Sequence, residues 1–173
     1  MITFEKIEFS NTEAFITLAK WDNDDEIKHL TRPNFQEGEL VDVTPEELRE
    51  GLFNNVNKYG YLILDDEVAV GYVTIDMDFS MLIKKEVKTA WIGIGIGEAT
   101  SRGKGVGIFA MQFLEKQCRE LGAKRIELGV FSFNHRAKSL YEKMGYQAFA
   151  KIENFVYYDG NWYSDVRMEK NLV

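Results

Sequence analysis

Polar and apolar residues alternate through Thr3-Phe4-Glu5-Lys6-Ile7, the period of a half-buried strand. Ser10-Asn11-Thr12-Glu13 has capping-box spacing and predicts a helix from about Asn11 to Trp21. Asp22 to Leu30 is acidic and then weakly helical, and Arg32-Pro33-Asn34-Phe35 reads as a loop. Thr44-Pro45-Glu46-Glu47 is a second capping box with proline in the first turn, opening a helix that turns Leu48, Leu52 and Val56 inward. Tyr61 to Leu64 and Val68 to Met77 flank Asp65-Asp66-Glu67 as a hairpin, and Thr89 to Ile96 is a further strand. From Gly105 to Leu121 the apolar residues Val106, Phe109, Ala110, Phe113, Leu114 and Leu121 recur at helical spacing, with Gly122 placed as a C-terminal cap. Arg125 to Phe131 reads as a strand, Asn134 caps a helix that runs to Lys143 before Gly145, and Gln147 to Tyr158 meets Trp162 to Met168 across Asp159-Gly160. Meandering strands followed by strand-helix units predict a mixed α/β (α+β) fold: one sheet with helices packed on it.

A chain of 173 residues, 45% apolar and 28% charged, has the size and balance of a single domain, 1–173, with its own core. The net charge of -7 argues against a nucleic-acid binder, which needs a basic face to release counterions from phosphates. An acidic surface suits a cationic acceptor or serves solubility alone. The single cysteine, Cys118, sits near the inward stripe of its helix and reads as core, and no internal disulfide can form. His29 and His135 lack metal-ligand spacing, so no metal is expected. No run approaches the ~18 apolar residues of a membrane span, and the N-terminus lacks a basic region followed by an apolar run, so the expected location is cytoplasmic, with no membrane partner.

The most informative stretch is Trp91-Ile92-Gly93-Ile94-Gly95-Ile96-Gly97. In a strand the isoleucines share one face and the glycines the other. Glycine in a strand marks a close approach of backbone or ligand, so the glycine face is expected to be a shallow groove for a thin chain. Arg102-Gly103-Lys104-Gly105-Val106-Gly107 follows and opens the long helix. Its glycines let successive N–H groups converge, and the helix N-terminus adds about half a positive charge. With Arg102 and Lys104 this predicts an anion site suited to a pyrophosphate. The dinucleotide fingerprint fails because position 108 is Ile, and the P-loop pattern fails at Glu98 and Gly105.

Arg102 to Gly107 also resembles the Gln/Arg-x-x-Gly-x-Gly/Ala acetyl-CoA motif of the GNAT N-acetyltransferases. Asn134-His135-Arg136-Ala137-Lys138-Ser139-Leu140-Tyr141-Glu142-Lys143-Met144-Gly145-Tyr146 is similar to that family's Asn-x-x-Ala-x-x-Leu-Tyr-x-x-x-Gly-Phe/Tyr pattern. The ending from Asp159 to Met168 resembles the ribosomal-protein and spermidine N-acetyltransferase branch. The resemblance implies a mostly antiparallel twisted sheet whose central strands splay to bind acetyl-CoA. It implies that the backbone of Gly95, Ile96 and Gly97 holds the pantetheine and thioester, that the backbone from Gly103 to Ile108 holds the pyrophosphate, and that Asn134 bonds the pantetheine arm. Tyr141 would face the sulfur. It also implies acetyl transfer to a primary amine, either a polyamine- or antibiotic-like small molecule or a protein N-terminus. By the same analogy the closing strand pair could supply a homodimer edge.

A phenol of pKa about 10 is a weaker acid than a thiol of pKa about 8.5, so donating a hydrogen bond suits Tyr141 better than giving up its proton. An alkylamine of pKa about 10.4 costs about 4 kcal/mol to neutralise at pH 7.4, so a base or a desolvated site is needed. Some relatives carry a glutamate where this chain has Gly129. Glu127, on the same strand face, and Glu98, at the mouth of the groove, are the candidate bases. Trp21, Asp25 and His29 lie in an acidic, aromatic strip suited to an ammonium through charge and cation–π attraction. The competing readings are a non-catalytic acyl-CoA-binding regulatory domain and an interaction protein with an incidental glycine turn.

Overall fold

The capping signals act as their chemistry dictates. Asn11 accepts from the Ala14 amide at 3.1 Å, and Thr44 and Glu47 form the reciprocal pair of a capping box. The computed structural model describes residues 1–173. Its strands are β1 (Ile2–Lys6), β2 (Lys58–Asp65), β3 (Val68–Asp76), β4 (Thr89–Ile96), β5 (Arg125–Phe131), β6 (Gln147–Tyr158) and β7 (Asn161–Asn171). Its helices are α1 (Thr12–Asp22), α2 (Lys28–Thr31), α3 (Pro45–Phe53), α4 (Val106–Glu120) and α5 (His135–Lys143). Two helices differ from expectation, one in where it ends and one in what it buries. The α3 helix stops at Phe53, so Val56 lies outside it and is exposed rather than turned inward. Phe109 is half exposed on α4, while Phe113 stacks on Phe4 with ring centroids 3.9 Å apart.

The strands form one sheet in the order β1-β2-β3-β4-β5-β7-β6, antiparallel except for β4 beside β5. That parallel pair is held only at Thr89–Arg125, Ala90–Ile126 and Trp91–Glu127. Beyond Trp91, β4 stays with β3 as far as Ile96, while β5 stays with β7 as far as Phe131. The sheet therefore splits at its centre into a wedge.

The two faces are built differently. The isoleucine face of β4 packs with Val73, Ile75, Ile126, Leu128 and Met168 beneath α4, whose Ala110, Met111, Leu114 and Cys118 are buried. The opposite face carries α1 and α3 over β2 and β3, with Phe15, Leu18, Trp21 and Leu62 in a second core. Here the expected glycine groove is absent. A side chain at Gly97 would collide with the Trp21 indole, one at Gly95 would meet the Tyr72 ring at 2.5 Å, and one at Gly93 would meet the Thr74 hydroxyl at 2.7 Å. The glycines are flat seats for large side chains arriving from α1 and β3.

Further along this face the sheet is charged and dry. Arg125 donates to Glu127 at 2.8 Å and to Glu169 at 2.7 Å. Arg167 donates to Glu127 at 3.2 Å and to Asp165 at 2.7 Å. Arg125, Glu127, Asp165 and Arg167 are all buried. Breaking such a network by removing one partner strands the others in low dielectric. Glu127→Ala is therefore expected to destabilise the fold by about 3–5 kcal/mol in urea titration. Gly97→Ala is expected to cost about 1–3 kcal/mol by the same measurement, because the indole must shift to admit one methyl group.

Candidate active site

The wedge continues into a cleft of about 910 Å³ that passes between β4 and β5. On one side it is floored by the turn into α4 and the first turns of α5, and on the other it opens among Phe35, Phe79, Met81, Trp91 and Phe155.

The first end is an anion cradle. Gly103 and Gly105 have φ of +78° and +82°, which a side chain would strain, and Gly105 is the N-cap of α4. The backbone N–H groups of residues 103 to 107 donate to no acceptor within the chain. Converging free amides at a helix N-terminus fit a phosphate group. The Arg102 side chain lines the cleft beside the cradle, with its hydrogen bonds made to the chain itself. It donates to the carbonyls of Ile96 at 3.2 Å and Gly97 at 2.8 Å and faces Glu26 at 3.6 Å, tying the end of β4 to the turn. The cation over the cradle is Arg136 of α5, whose guanidinium lies 2.6 Å from where a Gly103 Cβ would sit. The sequence reading missed Arg136, although its place two residues into the helix after Asn134 was visible. Gly107 lets α4 approach α5, since a side chain there would meet Leu140 at 2.8 Å.

Asn134 caps α5 by accepting from the Ala137 amide at 3.2 Å, which leaves its NH₂ group for a ligand in the cleft. Tyr141 lies on the cleft wall, 9% exposed. Burial pushes its phenol up to about 12. Against a thiol near 8.5, proton transfer from this phenol is uphill by about 5 kcal/mol, so its useful action is to donate a hydrogen bond.

Of the other expected residues, Ile96, Val106 and Ile108 line the cleft, whereas Gly95, Gly97 and Lys104 do not. The β4 edge that faces the wedge is formed by Ile92, Gly93, Ile94 and Ile96. Glu127 is engaged by Arg125, Arg167 and the Ile83 amide and does not reach the cleft. Glu98 accepts from the Trp21 indole at 2.8 Å and faces Lys20, away from the cleft wall. Trp21 is buried over Gly97, Asp25 pairs with Lys28 on the surface, and His29 stacks on Tyr158 at 4.2 Å. The same stretch of chain does reach the cleft, but through Ile27, Leu30, Thr31, Pro33 and Phe35.

One carboxylate does face the cleft. Asp165 is 2% exposed, and its Oδ1 is buried without a hydrogen-bond partner. Burial raises its carboxyl above the ordinary range, opposed by the bond from Arg167. Charged residues at 165, 167 and 169, alternating with Val166 and Met168, were the signal for this feature.

No helix of the chain is long and apolar enough to cross a membrane. Comparison with known proteins places the architecture. The solved ribosomal-protein-alanine N-acetyltransferase of Brucella melitensis superposes over 98% of this chain and 99% of its own, with a TM-score of 0.79 at 16% identity. The spermidine N-acetyltransferase of Vibrio cholerae, solved with CoA and spermine, superposes over 99% of this chain and 95% of its own, with a TM-score of 0.77 at 18% identity. At such identities these likenesses show the fold. YdgE of Bacillus subtilis, described as an uncharacterized N-acetyltransferase, is 50% identical over 60 residues, a stretch that covers 34% of this chain and 38% of that relative's length. Residues 17–146 match the model of the Acetyltransferase (GNAT) family, three quarters of the sequence, so the chain belongs to that family of acetyl-CoA-dependent N-acetyltransferases.

Proposed function

We propose that this GNAT acetyltransferase moves the acetyl group of acetyl-CoA onto a primary amine inside the β4–β5 wedge. The observation that carries the reading is the run of unbonded N–H groups at residues 103 to 107, directly beyond a strand edge with no partner strand. A diphosphate answers the first feature, and an extended amide-bearing arm answers the second, since both leave backbone polar groups to be satisfied. The residues present fit the coenzyme: Gly103 to Ile108 for the pyrophosphate, Arg136 beside it, and the Asn134 amide for the arm. Bound acetyl-CoA supplies the activated acyl group. Tyr141 donates a hydrogen bond toward the sulfur as charge develops there. Spermidine and a ribosomal-protein alanine, the acceptors for which two structural neighbours are named, are amines, which supports the acceptor class.

The test is release of CoA thiol from acetyl-CoA in the presence of a panel of primary amines. Turnover supports transfer, while tight acetyl-CoA binding without turnover on any amine overturns it in favour of a non-catalytic acyl-CoA-binding domain. Tyr141→Phe is expected to lower kcat about 10²-fold with little change in the KM for acetyl-CoA, read from initial rates. Gly105→Val places a β-branched residue at positive φ and re-aims the cradle. Its affinity for acetyl-CoA is expected to fall about tenfold by calorimetry, a loss of about 1.4 kcal/mol.

A further inference from the structure

We propose that Asp165 is the carboxylate that receives the acceptor's ammonium and takes its proton, in a chamber whose walls select a primary monoamine on an apolar or aromatic body. The proposal rests on the acetyl-transfer reading and deepens it.

The carboxylate is placed for this and for little else. Its Oδ2 accepts from Arg167 Nε at 2.7 Å. Its Oδ1 is buried and unpartnered, on a residue that lines the cleft. A buried carboxylate oxygen without a donor is costly, and the cleft is the direction from which a donor can arrive. The neighbouring strand makes room for it. A Cβ at Gly129 would stand 2.8 Å and 2.9 Å from the two carboxylate oxygens and 3.0 Å from Trp91. Any larger residue on β5 would push Asp165 aside.

The other acids are spent. Glu127 is held by Arg125 and Arg167, and Glu98 by Trp21, and neither lines the cleft. Asp165 is the one acid among the lining residues, and the charged remainder, Arg102, Arg136, Lys143 and Arg167, is cationic. A single ammonium is drawn to one point, and no second carboxylate lines the cleft to receive another positive charge along the acceptor. Around that point the walls are apolar. Phe79 stacks on Trp91 at 4.4 Å, and Phe35 meets Phe155 edge to face at 5.3 Å, with Leu30 and Met81 beside them. Arg167 covers the Trp91 ring at 4.8 Å, so Phe79 and the phenylalanine pair offer the aromatic contact.

The proton balance is simple. The ammonium gives one proton to Oδ1, which passes it to solvent. The freed lone pair forms the C–N bond to the acetyl carbon, the C–S bond breaks, and sulfur keeps its electron pair. The second proton leaves nitrogen as the thiolate takes one up, so amide, thiol and one proton are the products. Charged groups around Asp165 are Arg167 on its own strand and, through Arg167, Glu127 and then Arg125 on β5. Its partner on β6, Ile152, carries no charge. Burial raises the Asp165 carboxyl, so kcat/KM should fall as pH drops through a limb lying above the ordinary carboxylate range.

The experiment measures thiol release with phenethylamine, hexylamine and spermidine across pH, with acetyl-CoA affinity followed by calorimetry. For the wild-type chain, kcat/KM is expected to be at least tenfold higher for the two monoamines than for spermidine, with a plateau between the acid limb and the amine's own pKa. Asp165→Asn is expected to keep its acetyl-CoA affinity and lose at least 100-fold in kcat/KM at pH 7. Its remaining activity should rise tenfold per pH unit toward the amine's pKa, because only amine already neutral in solution can react. Gly129→Ala, which displaces the carboxylate without removing it, is expected to lose at least tenfold with acetyl-CoA binding intact. It decides the matter if Asp165→Asn does not fold. A variant profile that matches the wild type, or a preference for spermidine, overturns this inference while leaving acetyl transfer standing. Absence of thiol release from every amine overturns the transfer reading itself, and this inference with it.

Discussion

The parting of β4 from β5 after a three-residue parallel contact is the constraint on which the site depends. Two central strands that separate expose backbone N–H and C=O groups that neither strand can satisfy, and a sheet interior is a poor place for such groups. Each strand stays anchored on its outer side, β4 to β3 and β5 to β7, so the gap cannot close by either strand sliding over. On one face the gap meets the free amides that precede α4, and on the other it meets exposed and half-buried aromatic side chains beside the buried Asp165 and Arg167. The chain thus carries a slot with polar edges, an electropositive entrance and an apolar exit. A ligand with an anionic head, an amide-bearing stem and an acyl end matches that gradient step by step.

Much of the cradle was legible because it is local. Positive φ at Gly103 and Gly105, the cap at Asn134 and the seven-residue step to Tyr141 follow from short-range geometry, which sequence records directly. The glycine strand was half legible. Alternation assigned Gly93, Gly95 and Gly97 to one face, and that was sound, but what covers the face comes from residues 21, 72 and 74. Trp21 precedes Gly97 by 76 positions, and no periodicity could reveal that an indole would settle there. Glu127 misled for the same reason. Its place on the strand was read correctly, while Arg167, which binds its carboxylate, arrives from β7 on the far side of the chain.

The charged face of β5 and β7 explains why position 129 is glycine. Arg125, Glu127, Arg167 and Asp165 alternate in sign, each bonded to the next, and together they hold buried charges that could not stand alone. The series has an unfinished end. Every carboxylate oxygen in it is bonded except Oδ1 of Asp165, and that end lies at the cleft. Filling the space over Gly129 would close off the terminus and displace the last carboxylate, so the absent side chain is part of the arrangement.

This arrangement also separates two tasks that one residue often combines. Tyr141, on α5, can donate to a developing negative charge but is too weak an acid to release its proton cheaply. Asp165, on β7, is made a better proton acceptor by burial, opposed by the bond from Arg167. The donor and the acceptor lie on different elements and both face the same cleft. Burial raises both groups: it keeps the phenol protonated as a donor and makes the carboxylate more basic. The two effects differ in sign for function: a dry wedge favours the neutral phenol that donates, but it works against the ionised carboxylate that a base requires, and the bond from Arg167 offsets part of that cost.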